Sequence, residues 1–134
     1  MGQLDDKLIL VVDDEAPLLR LMLRQLTRRG VRCIGAPSGN AALAALDRHD
    51  VDVVVSDIRM PDGTGVDLLR GLGRRAKRPI AIVVTGFSDE SAEQLVALGA
   101  RAVLPKPMRV DELIATIAQH VAGAANAGGA SGMA

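Results

Sequence analysis

Five short apolar runs rich in β-branched residues alternate with segments of helical periodicity along the chain. The runs cover residues 7–12, 32–36, 51–56, 80–84 and 102–104. Parallel strands need crossover connections of about a dozen residues, whereas antiparallel strands can be joined by a tight turn. Because such crossovers are right-handed, successive helices cover both faces of one sheet. The alternation therefore predicts a doubly wound α/β fold, (βα)5, with a parallel sheet.

The helical segments are identified by apolar residues that recur three and four positions apart. In the first segment these residues form one face, made of Leu18, Leu19, Met22, Leu23 and Leu26. Ser88 or Asp89 is a suitable N-cap for the fourth helix. The last segment has the most regular spacing, and Gly123 is expected to end it.

A length of 134 residues is typical of one domain. Aromatic residues make up only 1% of the chain, so the core must be aliphatic. We assign residues 1–122 to this domain. Residues 123–134 are rich in alanine and glycine, and they have too few large apolar side chains to offset the entropy of ordering. We therefore expect them to form a flexible tail.

The composition disfavours several classes of protein. The 16 basic and 16 acidic residues give a net charge of zero, which offers no bulk attraction for nucleic acid or an anionic membrane. No apolar run approaches the ~18 residues of a membrane-spanning helix, and residues 1–7 lack the pattern of a secretory signal. We therefore expect a cytoplasmic protein. Cys33 is the single cysteine, which excludes an internal disulfide, and we expect it to be a small core residue in a strand.

Reactive side chains follow four of the five predicted strands. These side chains are Asp13 and Asp14, Asp57, Thr85, and Lys106. In doubly wound sheets, ligands bind in the crevice beyond the carboxyl ends of the strands. The sequence therefore predicts one site that contains three carboxylates, a hydroxyl and an ammonium group.

The chemistry of this set favours a divalent cation and a phosphoryl group. Three adjacent carboxylates repel one another unless a cation neutralises them, and hard oxygen ligands without sulfur or imidazole select Mg²⁺ or a similar ion such as Mn²⁺. Asp57 is the best candidate nucleophile, because a carboxylate can accept a phosphoryl group when a metal ion and an ammonium group neutralise its oxygens. Lys106 and Thr85 are suited to bind the phosphoryl oxygens.

Four motifs, in the order in which they occur along the chain, resemble those of the receiver domain of two-component response regulators. They are Val11-Val12-Asp13-Asp14-Glu15, Ser56-Asp57-Ile58-Arg59-Met60-Pro61-Asp62-Gly63, Val84-Thr85-Gly86 and Lys106-Pro107. The resemblance covers about residues 6–122. It implies a flavodoxin-like sheet with strand order 2-1-3-4-5 and helices on both faces.

The resemblance also implies a role for each site residue. Asp57 would be the phosphoacceptor. Asp14, Asp57 and the backbone carbonyl of Arg59 would bind Mg²⁺ directly, and Asp13 would act largely through water. Lys106 would pair with Asp57 before phosphorylation and with the phosphate afterwards.

In such domains a switch hydroxyl moves toward the new phosphate, and Thr85 occupies that position here. The phosphoryl donor would be a sensor histidine kinase, a histidine phosphotransfer protein or a small acyl phosphate. The signal would pass to a downstream effector domain or protein, or to a phosphorylation-dependent homodimer. We expect no direct nucleic-acid binding, no membrane association, and no turnover of an external substrate beyond slow autodephosphorylation.

The chain departs from the family pattern at three positions. Val103 stands where the family usually has an aromatic residue, three positions before the lysine, so a rotamer switch of an aromatic ring is impossible there. Phe87 is the only aromatic residue, and we hypothesise that it carries part of the signal. Pro105 indicates a short fifth strand at a sheet edge. Lys106-Pro107 is a candidate cis peptide bond.

Two other functions remain alternatives at this point. A haloacid-dehalogenase-like phosphatase also uses a strand-end aspartate, Mg²⁺, a hydroxyl and a lysine, but it separates its two aspartates by one residue, whereas Asp13 and Asp14 are adjacent. A passive flavodoxin-like ligand-binding module is the other alternative. Gly63-Thr64-Gly65 begins a G-x-G pattern, but Leu68 occupies the third glycine position, so dinucleotide binding is disfavoured.

Overall fold

The computed structural model describes residues 4–58, 65–86 and 91–133, with side chains described as far as residue 123. The strands are β1 (Leu8–Val12), β2 (Arg32–Ala36), β3 (Val53–Asp57), β4 (Ile80–Thr85) and β5 (Ala100–Pro105). The helices are α1 (Ala16–Arg28), α2 (Gly39–Arg48), α3 (Gly65–Gly73), α4 (Ala92–Ala97) and α5 (Val110–Met133). The elements alternate as predicted.

The five strands form one parallel sheet in the order β2-β1-β3-β4-β5. This order confirms the predicted doubly wound fold and places β5 at an edge. The register aligns the carboxyl ends of the strands. Ser56 pairs with Val12, Asp57 pairs with Val84, and Thr85 pairs with Pro105. Residues that follow these strands therefore emerge at one edge of the sheet.

Both faces of the sheet are covered by helices, as predicted. Successive side chains of a strand point to opposite faces. In β1, Leu10 packs in a core cluster with residues of α2, α3 and α4, whereas Ile9 packs in a second cluster with residues of α1 and α5. Burial on both faces explains why the central strands have continuous apolar sequences rather than alternating ones.

The buried stripe of α1 is narrower than predicted. Leu19 and Leu26 are buried, but Leu18 is 45% exposed, so its assignment to the core face was wrong. Leu18 precedes Leu19 by one residue, about 100° around the helix, and this turns its side chain away from the sheet. Cys33 lies in a strand as predicted, but β2 is an edge strand and the cysteine is half-buried.

Strand β5 begins earlier than the sequence predicts. The predicted strand started at Ala102, whereas the observed strand starts at Ala100 and pairs with β4 through a register irregularity next to Ala81. Arg101 interrupts the apolar run and is exposed, because it lies on an edge strand. The prediction therefore missed the part of the strand with a polar residue.

The ends of two helices also differ from the prediction. Ser91 caps α4 in a capping box: its hydroxyl accepts a hydrogen bond from the backbone N–H of Gln94 at 3.1 Å. The predicted caps Ser88 and Asp89 lie outside the described residues. Helix α5 continues past Gly123 to Met133, so the predicted stop was wrong.

The continuation of α5 includes both strong and weak helix formers. Each glycine within a helix costs about 1 kcal/mol relative to alanine, and residues 123–133 contain four glycines, so the alanines among them, the best helix former, offset this cost only in part. The domain boundary at residue 122 and the flexibility of residues 123–134 stay predictions. Within the described part of the chain, no helix combines the length and the apolar character that crossing a membrane requires.

Candidate functional site

The carboxyl edge of the sheet brings together the reactive residues that the sequence predicts there. Asp13 and Asp14 follow β1, and Asp57 is the last residue of β3. Thr85 is the last residue of β4, and Lys106 directly follows β5. Four of the five strands therefore contribute to one site, and only β2 does not.

The three carboxylates form one cluster. Asp13, Asp14 and Asp57 each offer an oxygen, and these oxygens lie within 4.8 Å of one another. The side chains of Asp13 and Asp57 are 15% and 12% exposed, whereas Asp14 is exposed to solvent. Carboxylates this close together repel one another, and partial burial strengthens the repulsion. The donor set, which has only hard oxygen ligands, fits Mg²⁺ or Mn²⁺.

Asp13 is oriented by the start of α1. Its Oδ1 accepts a hydrogen bond of 2.9 Å from the backbone N–H of Glu15, the N-cap residue of α1. Its Oδ2 lies 4.0 Å from the Lys106 ammonium group. The carboxylate of Asp13 is therefore held between the helix start and the lysine.

Lys106 partly neutralises the cluster. Its Nζ donates a hydrogen bond of 2.6 Å to Oδ2 of Asp57. Partial burial alone would lower the pKa of Lys106, but the hydrogen bond to Asp57 and the negative charges of Asp57, Asp13 and Glu15 outweigh this effect, so the pKa lies above the usual value for lysine. Lys106 is therefore fully charged at neutral pH.

The backbone around Lys106 connects it to the end of β4. The Lys106 N–H donates to the carbonyl oxygen of Thr85 at 3.1 Å. The Lys106–Pro107 peptide bond is cis, as predicted. The hydrogen bond therefore joins the end of β4 to the backbone that carries the lysine.

Gly65 has a structural role that the sequence analysis missed. It is the first residue of α3, and its N–H donates to the carbonyl oxygen of Ile58 at 2.9 Å. A Cβ atom at this position would lie 2.6 Å from the backbone oxygen of Asp57 and 2.7 Å from the Cα of Ile58. Only glycine allows this close approach of α3 to the end of β3. The sequence signal that could have indicated this close approach is a glycine at the start of an apolar helical segment.

Arg59 and Phe87, to which the prediction assigns roles in metal binding and signalling, lie outside the described residues. Their assigned roles therefore stay predictions. Val103, at the position where the family usually has an aromatic residue, is half-buried and packs against the core cluster that contains Leu10.

The sequence matches a known family over most of its length. A family model described as "Response regulator receiver domain" matches residues 9–118. Transcriptional regulatory protein KdpE of Mycobacterium tuberculosis is 36% identical over 110 residues, which are 82% of this chain and 49% of that protein. DNA-binding transcriptional regulator NtrC of Klebsiella pneumoniae is 37% identical over 108 residues, 80% of this chain and 23% of that protein. The chain thus spans about half the length, or less, of these curated relatives.

Solved structures agree with this match. A response regulator receiver domain protein from Clostridium thermocellum superimposes with a TM-score of 0.80 at 29% identity, covering 86% of this chain and 94% of that one. The structure titled FixJ-N has a TM-score of 0.74 at 36% identity, covering 84% and 90% of the two chains. These matches confirm the resemblance drawn from the four motifs and give no support to the phosphatase alternative. This chain belongs to the family of response regulator receiver domains.

Proposed function

We propose that this receiver domain is controlled by phosphorylation of Asp57. The observation that carries the proposal is the contact of 2.6 Å between Lys106 Nζ and Asp57 Oδ2 inside a cluster of three carboxylates. Asp57 is the member of the cluster that lies at the end of a central strand and also bonds the ammonium group. A phosphoryl group on Asp57 would keep Lys106 as its partner.

In the proposed phosphoryl transfer, Asp57 reacts as an ionised carboxylate, so it neither gains nor loses a proton. One carboxylate oxygen forms a bond to phosphorus while the bond between phosphorus and the donor atom breaks, and the donor leaves with that electron pair. A phosphohistidine that is protonated on its other ring nitrogen would release neutral imidazole, and an acyl phosphate would release a carboxylate. The product is an aspartyl phosphate. Lys106 balances the charge of the phosphoryl oxygens in the loose transition state.

The residues at the site fit a bound Mg²⁺ or Mn²⁺. Asp14, Asp57 and the backbone carbonyl of Arg59 would hold the ion directly, and Asp13 would act mainly through water. When bound, the ion would neutralise negative charge on the carboxylates and on the transferred phosphoryl group. The hydrogen bond from the Glu15 N–H supports this assignment, because it fixes the orientation of the Asp13 carboxylate.

Thr85 and Lys106 would convert phosphorylation into a change of the surface around β4 and β5. The Thr85 hydroxyl would move toward the phosphate. Because the Thr85 carbonyl accepts the Lys106 N–H, this movement would also shift the end of β5. Val103 has no aromatic ring that could change rotamer, so the signal would depend on backbone displacement and on the segment that contains Phe87.

The proposed partners follow from the family and from the chemistry of the site. The donor would be a sensor histidine kinase or a histidine phosphotransfer protein. The receiver of the signal would be an effector domain or protein, or a second phosphorylated copy of this chain. We propose a cytoplasmic switch that does not bind nucleic acid or membranes through this domain and does not turn over an external substrate.

Acetyl phosphate and Mg²⁺ test the proposal directly. Intact-mass spectrometry should detect one added phosphoryl group on the wild-type protein and none on Asp57→Asn. Asp57→Asn keeps the size of the side chain but removes the nucleophilic carboxylate, so it is the matched control. No adduct on the wild type, or the same adduct on Asp57→Asn, would contradict the assignment.

A further inference from the structure

A hydroxyl group lies in the apolar core directly beside the proposed phosphoacceptor. Ser56 is 5% exposed, and within the described part of the chain it is the only buried residue with a polar side chain. It follows three valines of β3, Val53–Val55, which are all buried. Burial of a hydroxyl group is unfavourable unless the group forms a hydrogen bond. The partner of the Ser56 hydroxyl group therefore indicates what this residue does.

That partner is the backbone of the next residue. The Ser56 hydroxyl group donates a hydrogen bond of 2.8 Å to the carbonyl oxygen of Asp57. Successive side chains of a strand point to opposite faces. Val54 and Ile58 pack in the cluster formed with α2, α3 and α4, so Ser56 lies on that face of the sheet. The Asp57 side chain leaves the strand on the other side, where its Oδ2 accepts the hydrogen bond from Lys106.

The start of α3 contacts the same carbonyl group. A Cβ atom on Gly65 would lie only 2.6 Å from the carbonyl oxygen of Asp57, so the backbone of α3 is adjacent to this oxygen. The Gly65 N–H donates to the next carbonyl oxygen, that of Ile58, at 2.9 Å. Two successive carbonyl groups at the end of β3 are therefore held, the first by the Ser56 hydroxyl group and the second by the Gly65 N–H.

This backbone segment carries two of the proposed metal ligands. The Asp57 carboxylate belongs to the cluster of three carboxylates. The backbone carbonyl of Arg59, the other proposed ligand, comes two residues later in the sequence. The peptide unit between Asp57 and Ile58 is planar, so a hydrogen bond to its oxygen restricts the rotation of the whole unit. A rotation of this unit would change the direction of both ligands.

We propose that Ser56 is a positioning residue for the metal ion. Its hydroxyl group holds the peptide unit between Asp57 and Ile58, so that the Asp57 carboxylate and the Arg59 carbonyl are directed toward one Mg²⁺ ion. The inference rests on the proposed function, from which it takes the metal ligands. Ser56 does not bind the ion itself. It strengthens binding because ligands that are oriented in advance lose less conformational freedom when the ion binds.

Titration calorimetry of the full chain with Mg²⁺ tests this role. Ser56→Ala removes the hydroxyl group and adds no atom to the core. We expect the dissociation constant for Mg²⁺ to rise about threefold to tenfold, the factor that one hydrogen bond typically supplies. Urea denaturation followed by circular dichroism should show that the variant remains folded. An unchanged Mg²⁺ affinity of folded Ser56→Ala would overturn the proposal.

Ser56→Thr distinguishes the hydroxyl group from the size of the side chain. Threonine keeps the hydrogen-bond donor and adds a methyl group, and we expect its Mg²⁺ affinity to stay within about twofold of the wild type. Equal weakening in Ser56→Thr and Ser56→Ala would overturn the proposal, because side-chain size rather than the hydrogen bond would then decide the affinity. If Ser56→Ala does not fold, Ser56→Cys replaces it with the same expected weakening, since a thiol is only a weak donor.

Thr116→Ala is the matched control. The Thr116 hydroxyl group also donates to a backbone carbonyl oxygen, that of Glu112 at 2.9 Å, but this hydrogen bond lies within α5. Neither residue belongs to the cluster of carboxylates. Thr116→Ala should therefore bind Mg²⁺ as tightly as the wild type. A loss of affinity equal to that of Ser56→Ala would show a general effect of removing a hydroxyl group and would overturn the assignment to Ser56.

The outcomes separate this inference from the proposed function. If acetyl phosphate labels Asp57 of the wild type but Ser56→Ala keeps its Mg²⁺ affinity, only the positioning role of Ser56 fails. If Ser56→Ala weakens Mg²⁺ binding but acetyl phosphate does not label Asp57 of the wild type, the positioning role stands and the proposed function fails. Absence of saturable Mg²⁺ binding to the wild type would overturn the metal assignment and the role of Ser56 together.

Discussion

The close packing of Gly65 against the end of β3 leads to a quantitative prediction. In Gly65→Ala the new Cβ would lie 2.6 Å from the backbone oxygen of Asp57 and 2.7 Å from the Cα of Ile58. Both neighbours are backbone atoms, so neither can rotate away as a flexible side chain would. Helix α3 and the end of β3 must therefore move apart.

Gly73→Ala is the matched control on the same helix. Gly73 is the last residue of α3, and a Cβ there would have no atom within 4 Å. Alanine should make this variant neutral or up to about 1 kcal/mol more stable, because alanine has the higher helix propensity and restricts the unfolded chain. Overpacking at Gly65 should instead cost about 1–3 kcal/mol of stability.

Urea denaturation of both variants, followed by circular dichroism, measures these free energies. Phosphorylation with acetyl phosphate measures the effect on the site, where displacement of the Asp57 backbone should slow the reaction by about tenfold or more in Gly65→Ala only. Equal stability and equal phosphorylation rates for the two variants would refute the argument that the Gly65 contact positions the phosphoacceptor.

Three further predictions concern the charges and the signal. Asp14→Ala should stay folded but lose Mg²⁺-dependent phosphorylation, because it removes a metal ligand; an unchanged Mg²⁺ affinity by calorimetry would contradict that role. Lys106→Met should lower stability by about 1 kcal/mol at neutral pH, because it removes the ammonium group that hydrogen-bonds to the Asp57 carboxylate. The folded-state pKa of Lys106 is raised, so this stability difference should be fully present just below the unfolded pKa of lysine and disappear as the pH rises through the higher folded pKa. Denaturation over a pH series measures it. Disappearance of the stability difference near neutral pH would contradict the reasoning. Phe87→Ala should change the lifetime of the aspartyl phosphate or the affinity for a partner but not Mg²⁺ binding; if phosphate release and partner binding both match the wild type, Phe87 has no part in the signal.

The sequence was sufficient to predict the fold and to predict that several reactive side chains lie at one edge of the sheet. Continuous apolar runs separated by helical segments are compatible with few topologies, and a parallel sheet places the residues after its strands at one edge. Asp13, Asp57 and Lys106 could therefore be grouped although they are far apart in the chain. Lys106 and Asp57 are in contact because each lies at the carboxyl end of a strand of the same parallel sheet.

The features that were missed depend on packing between distant segments. Leu18 and Leu19 are identical in type, and only the position of the sheet decides that Leu19 is buried and Leu18 exposed. The role of Gly65 depends on how closely α3 approaches the backbone of Asp57. Arg101 belongs to β5 because an edge strand tolerates an exposed charged residue, which periodicity alone does not reveal.

Mapping the phosphorylated residue tests the central claim most directly. The wild-type protein is treated with acetyl phosphate and Mg²⁺, the acyl phosphate is reduced with borohydride, and the modified residue is located by tandem mass spectrometry. We predict that Asp57 alone is reduced to homoserine and that omission of Mg²⁺ prevents the modification. Modification of Asp13 or Asp14 instead of Asp57, or no modification in the presence of Mg²⁺, would contradict the claim that Asp57 is the phosphoacceptor.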